Sequence, residues 1–244
     1  MIRTLALAFV VVSAGGTSAH AGRTFFGWEY GTETNPERMV ESETWISEEN
    51  KEGPTLYSET LIWWAPTFGI TPHLEAAIPI ELVHSGDLMT PPSTSVQHWG
   101  AELRYRFNSP DPIEAGPVTA LFRVAAKRLV DERDGFRGEA DVVVAFERGR
   151  LLAAVDIGAV SEVVPTSTSF NFRPSGGVQI RAIDQLRVGV EAYSELNVQG
   201  NAVTWAVVGP SASWTHGRLW IATAYGIGIT GIRDAPRVKF GVQF

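Results

Sequence analysis

Two sets of residues in this chain could do chemistry. The first is the histidines His73, His84, His98 and His216. Hydrolytic catalysis would need one of them beside a serine and a carboxylate, and a metal would need a pair at ligand spacing. His73 follows Pro72 and His216 precedes Gly217, both turn settings, while His84 stands at a strand end and Ser93-Thr94-Ser95 reads as loop. His98 shares a strand face with Glu102. With no cysteine in the chain, thiol catalysis, zinc ribbons and disulfides are excluded together. The expectation is therefore no enzyme, no metal and no cofactor. The second set is larger: Glu102, Arg104 and Arg106; Arg123 and Lys127; Asp141 and Glu147; Arg187, Glu191 and Glu195. Within each group the spacing is a multiple of two, which lines charges along one face of a strand. Such residues either pair across strands in a closed interior or line an aqueous path and set its ion preference. Arg104, Arg106, Arg123 and Lys127 form the densest basic group, with Glu102, Asp141 and Glu147 near enough to neutralise it.

These charges need strands to carry them, and the chain supplies alternation rather than helical periodicity. Between Val96 and Phe107, Gln97, Trp99, Ala101, Leu103 and Tyr105 share one face and His98, Glu102, Arg104 and Arg106 the other. The same division recurs at Phe122 and Val124 against Arg123 and Lys127, and at Val142, Val144 and Phe146 against Asp141 and Glu147. It continues at Val155 and Ile157 against Asp156, and at Val188 and Val190 against Arg187 and Glu191. About twelve strands follow, running from Arg38–Glu49 through Leu56–Phe68, His73–Ser85, Val96–Phe107, Val118–Val130, Glu139–Glu147 and Leu151–Val163. The second half adds Thr168–Ala182, Leu186–Val198, Ala202–Thr215, Leu219–Ile229 and Arg237–Phe244. Short turns at Gly69–Pro72, Arg148–Arg150, Asp184-Gln185 and His216-Gly217 alternate with longer polar links at Gly86–Ser95, Asp131–Gly138 and Thr230–Pro236. Asn108–Gly116 is a long Pro-rich link on the short-turn side.

An all-β closed antiparallel transmembrane barrel of about twelve strands accounts for this pattern. Strands of roughly 9–11 residues or more cross the hydrocarbon when tilted, and a ring of twelve encloses a space too wide for Val and Ala to fill. Lipid cannot satisfy backbone polar groups, so the sheet must close and the charges must face inward. Trp64, Trp99, Tyr105, Trp214 and Tyr225 are candidates for the interfacial aromatic girdles.

Composition agrees. The 244 residues are 44% apolar and 19% charged, with 20 Lys+Arg against 27 Asp+Glu, which leaves no basic surplus for nucleic acid. Residues 1–21 read as a signal peptide: Arg3, an apolar run from Leu5 to Val12, and Ser18-Ala19-His20-Ala21 for cleavage. Residues 22–37, with Phe25, Phe26, Trp28 and Tyr30, are read as a periplasmic N-terminal lead-in, and residues 38–244 as the barrel.

The Glu41-x-Glu43-x-Trp45 strand, the Gly69-Ile70-Thr71-Pro72 turn before Leu74-Glu75, Gly209-Pro210-Ser211, Gly226-Ile227-Gly228 and the closing run Val238–Phe244 resemble outer-membrane transporters related to the meta-pathway phenol-degradation type. The resemblance covers most of residues 38–244 and implies a barrel of twelve or so strands and uptake of small molecules; it brings no catalytic residues. The alternating end Phe240, Val242, Phe244 resembles the signal read by barrel-assembly machinery. The expected setting is the outer membrane of a Gram-negative bacterium, with membrane lipid, the assembly machinery and a small-molecule solute as partners. The expected function is a passive or substrate-selective channel for small solutes. The alternative is a closed barrel with a structural or surface-interaction role.

Overall fold

Alternation of apolar and charged residues becomes a single antiparallel sheet that closes on itself. The computed structural model describes residues 24–51, 57–86, 91–109, 116–200 and 203–244; the expected leader lies outside them. The strands are β1 Val40–Lys51, β2 Tyr57–Gly69, β3 Leu74–Ala77, β4 Ile80–Gly86, β5 Ser93–Arg106, β6 Val118–Leu129 and β7 Phe136–Arg148. They continue with β8 Leu151–Val164, β9 Ser167–Ile183, β10 Leu186–Gln199, β11 Trp205–His216, β12 Leu219–Thr230 and β13 Ile232–Gln243. Closure is made by β1, which pairs with β2 on one side and β13 on the other: Trp45 lies opposite both Trp63 and Lys239. No edge is left to template aggregation or to strand its hydrogen-bonding groups in lipid.

The thirteen segments make twelve crossings. β3 and β4 are two halves of one crossing, both running between β2 and β5. Ile78-Pro79 separates them, and proline has no N–H to give the ladder. The register survives the interruption: Ala77 faces Glu102 and Ile80 faces Trp99 on one side, Thr67 and Trp64 on the other.

The outer surface is apolar. Val142, Val144, Phe146, Val155, Ile157, Val188 and Val190 are all exposed, as are the five girdle candidates Trp64, Trp99, Tyr105, Trp214 and Tyr225. An apolar surface of this extent is lipid-facing. Their alternate neighbours Arg123, Asp141, Asp156, Arg187 and Glu191 are buried inside.

Two connections differ from expectation. Thr230–Pro236 is a tight turn rather than a long polar link. It pivots on Gly231 at φ +69°, where an added Cβ would come within 2.3 Å of the Thr204 carbonyl oxygen, and β13 then begins at Ile232. The β8–β9 link is also short, at Pro165-Thr166. The rim expected to carry long loops therefore carries them at only some positions.

Candidate functional site

Twelve tilted strands about 4.8 Å apart enclose a cylinder roughly 24 Å across between opposing backbones. Side chains from the wall alone do not fill it, and residues 24–35 extend into it. Phe26, Trp28, Glu29, Thr32 and Asn35 are buried, so the segment expected as a periplasmic lead-in runs inside the barrel. It begins near the short-turn rim, where Gln179 Nε2 donates to the Phe25 carbonyl at 2.7 Å. It then rises to mid-barrel, where the Glu191 carboxylate accepts the N–H groups of Gly27 (2.9 Å) and Trp28 (2.7 Å). Lys239 Nζ donates to the Glu29 carbonyl at 2.7 Å. The segment returns to the same rim, where Glu75 accepts the Asn35 N–H at 2.7 Å and the Asn35 side chain donates to Thr67 at 2.6 Å. This plug is therefore a hairpin-like loop with its apex at Trp28–Tyr30, tied by charge-assisted hydrogen bonds, the stronger class.

Aromatic packing seats the apex. Trp28 packs with Tyr193, Trp205, Val207 and Ile232, and Phe26 with Ala145, Leu152 and Ala154. The Tyr30 ring lies 4.4 Å from the Arg123 guanidinium carbon and 5.3 Å from Lys239 Nζ, measured to its centroid. Arg237 sits between Trp28 and Trp45 at 5.0 and 4.9 Å. Small residues make room. A Cβ on Gly177 would meet Phe26 at 2.7 Å, and one on Gly27 would meet Ala224 at 2.7 Å.

Two plug carboxyls carry shifted pKa values. Burial, reinforced by Glu191 and Asp156 and opposed by Lys239, pushes Glu29 up to about 10, and neither of its oxygens has a hydrogen-bond partner among the described residues. Burial also pushes Glu33 up to about 7, with Arg106 and Arg187 opposing and Glu147 adding.

Beside the plug, the wall from β1 to β9 carries an ion-pair network. Arg104 binds Glu43, Glu75 and Glu102 at 3.0, 2.9 and 2.6 Å. Arg123 binds Glu102, Glu139 and Asp141 at 2.6, 2.9 and 2.6 Å. Lys127 holds Glu81 and Glu139; Arg137 reaches Glu139 and Glu162, and Arg173 reaches Glu139 and Asp141. The arginines and lysine expected as a basic group are thus paired with buried carboxylates, which removes the free positive charge an anion path would use. Arg106 lies apart from the network.

The structure separates the other predicted residues into different settings. Glu147 is not part of this network: its Oε1 accepts from Arg181 (2.6 Å) and Arg187 (2.5 Å) at the short-turn rim. Glu191 holds the plug, and Glu195 accepts from Asn171 at 2.7 Å toward the opposite rim. His98 bonds Glu81, which lies directly opposite it on β4, at 2.7 Å. Arg218 is exposed on the Gly217-Arg218 turn. Phe240 and Val242 alternate with buried Lys239 and Gln243, and Phe244 is exposed at the chain end. Glu43, Arg137 and Glu139 were not among the expected lumen-lining charges, although parity with Trp45 and Asp141 puts them on the inner face.

Among the described residues, the histidines show no hydrogen bond to a serine hydroxyl: His84 contacts Thr94 and His73 the Arg106 carbonyl. No cluster of three or more potential metal ligands occurs among those residues. At the short-turn rim a cavity of about 680 Å³ remains between plug and wall, with Phe25, Glu33, Arg106, Glu147 and Arg187 among its lining residues.

No protein-family model matches the chain and no curated protein matches it. Solved structures do. The COG4313 outer membrane channel from Pseudomonas putida F1 superposes with a TM-score of 0.59 at 9% identity, over 87% of this chain and 98% of that one. The NanC porin gives 0.55 at 8% identity, over 83% and 98%. The translocator domain of the autotransporter NalP from Neisseria meningitidis gives 0.51 at 13%, over 86% and 90%. At these identities the likeness is one of fold, and together with the lipid-facing exterior it makes this chain an outer-membrane β-barrel of the Gram-negative type.

Proposed function

We propose that the protein is a gated outer-membrane channel for small solutes, in which residues 24–36 are the gate. The observation that carries this reading is the plug itself: an aromatic, hydrogen-bonded loop occupies much of a lumen that has a charged rather than an apolar wall. A barrel needing only to be solid could fill its interior with apolar side chains. Here the filling is a separate segment entering and leaving at one rim, so it can withdraw without breaking a strand pairing. The fold shared with a channel and a porin supports the reading. Uptake of a small molecule, as the family resemblance implies, belongs to the same proposal.

Single-channel recording in a planar bilayer tests it. The intact protein is expected to show infrequent steps, and a variant lacking residues 24–36 long-lived ones. Under a salt gradient, Arg104→Ala and Arg123→Ala in the deletion variant should shift the reversal potential toward cations. A deletion variant that is folded, by heat-modifiable mobility on a gel, yet silent would contradict the proposal. That result would favour the second reading, a closed barrel with a structural or surface role, which the dense ion pairing of the wall supports.

A further inference from the structure

Three arginines border the 680 Å³ cavity at the short-turn rim: Arg106, Arg181 and Arg187. Arg187 is 6% exposed and gives its Nη2 to Glu147, while its Nη1 is buried without a partner among the described residues. Arg106 has a buried Nε without a partner and no ion pair among the described residues. Buried donors without acceptors are costly to a fold and are found where something else supplies the acceptor. The Arg187 guanidinium carbon stands 4.5 Å from the centre of the Phe25 ring, a contact that orients the group. Phe25, Ala145 and Leu152 give the same cavity an apolar floor.

We propose that this cavity binds a small organic carboxylate, its carboxyl group received by Arg106 and Arg187 and its apolar body resting on Phe25, Ala145 and Leu152. Guanidinium groups present paired donors that match a carboxylate in geometry as well as charge. The cavity is within the roughly 300–1,000 Å³ range of small-molecule sites. Its acidic residues do not compete fully: Glu37 and Asp184 are exposed at the rim, the one Oε1 of Glu147 is shared by Arg181 and Arg187, and burial raises Glu33 so that it is partly neutral near pH 7. An ammonium ligand would instead face two arginines. Because Phe25 and Glu33 belong to the plug and the arginines to the wall, ligand binding and plug position are coupled. The inference rests on the channel reading only in treating the carboxylate as a permeant; binding is measurable without conduction.

Titration calorimetry of the detergent-refolded protein with hexanoate, hexanol and hexylamine tests it. Hexanoate should bind at a single site, and the alcohol and amine at least about tenfold more weakly. Arg106→Gln should weaken hexanoate at least about tenfold, whereas Arg128→Gln, the same charge change on an exposed residue near the opposite rim, should leave it unchanged. Should Arg106→Gln fail to fold by heat-modifiable mobility, Glu147→Gln takes its place. By releasing Arg187 from its competing carboxylate, that variant should tighten hexanoate severalfold. Equal binding of hexanoate and hexanol, retained affinity in folded Arg106→Gln, or no tightening in Glu147→Gln would each overturn the proposal. Bilayer recording separates the two readings. Binding to a barrel that never conducts keeps the site and removes the channel; conduction without hexanoate binding does the reverse.

Discussion

Arg123 joins the wall network to the plug: it is fully buried, bonded to Glu102, Glu139 and Asp141, and stacked against Tyr30 of the plug. Removing one partner from a buried ion network strands the others, at a cost of about 3–5 kcal/mol. Arg123→Gln should therefore lower the urea midpoint of the barrel by that equivalent, whereas Arg128→Gln should move it little. The plug carboxyls give a pH dependence with a definite sign. Burial on docking raises Glu33 from 4.5 to about 7, with Glu147 adding and Arg106 and Arg187 opposing, and Glu29 from 4.5 to about 10, with Glu191 and Asp156 adding and Lys239 opposing. The docked form binds the extra protons, so its advantage is fully present below pH 4.5. Glu33's share is lost as pH rises to about 7 and Glu29's as it rises to about 10. Opening frequency in a planar bilayer should accordingly rise from pH 5 to pH 8, and Glu33→Gln should flatten the part of that rise below pH 7.

The plug and the strands differ in how they are encoded. A strand's inner and outer faces follow from a period of two, so β5 to β8 could be assigned from Glu102, Arg123, Asp141 and Asp156 against Val124, Val142 and Val155. Turn chemistry placed Gly149 and Gly217 correctly, both at positive φ. The plug has no such period. It is defined by contacts between residues far apart in the chain, such as Gly27 with Glu191 and Asn35 with Gln243, and no local pattern records them. Phe25, Phe26, Trp28 and Tyr30 were visible as an aromatic group, but not that they fill the barrel. That Arg104 and Lys127 pair with carboxylates was among the readings the alternation allowed, but the partners Glu43 and Glu81 were not legible, since they come from other strands. Gly177 is the wall position that admits Phe26. Gly177→Leu overpacks that contact by about 1–3 kcal/mol, so it should raise the open fraction roughly tenfold in bilayer recordings while the strands remain paired and the fold heat-modifiable.

At the scale of the whole molecule, a lipid-facing exterior and a filled, charged interior make opposite demands on the same strands. Ile157 is exposed on the outer face of β8 next to buried Asp156. An arginine there meets hydrocarbon, and Ile157→Arg should destabilise the barrel in lipid vesicles by about 2–4 kcal/mol, read from urea unfolding. The central claim is that withdrawal of the plug opens this barrel, and a reversible lock on the plug tests it most directly. Thr32 of the plug and Thr119 of β6 place their hydroxyl oxygens 2.6 Å apart, and the natural chain has no cysteine to mispair. With Thr32→Cys and Thr119→Cys joined by a disulfide, single-channel steps should vanish, and reductant should restore them to the level of the unlocked protein. Steps of unchanged size and frequency in the oxidised, locked protein would contradict the account.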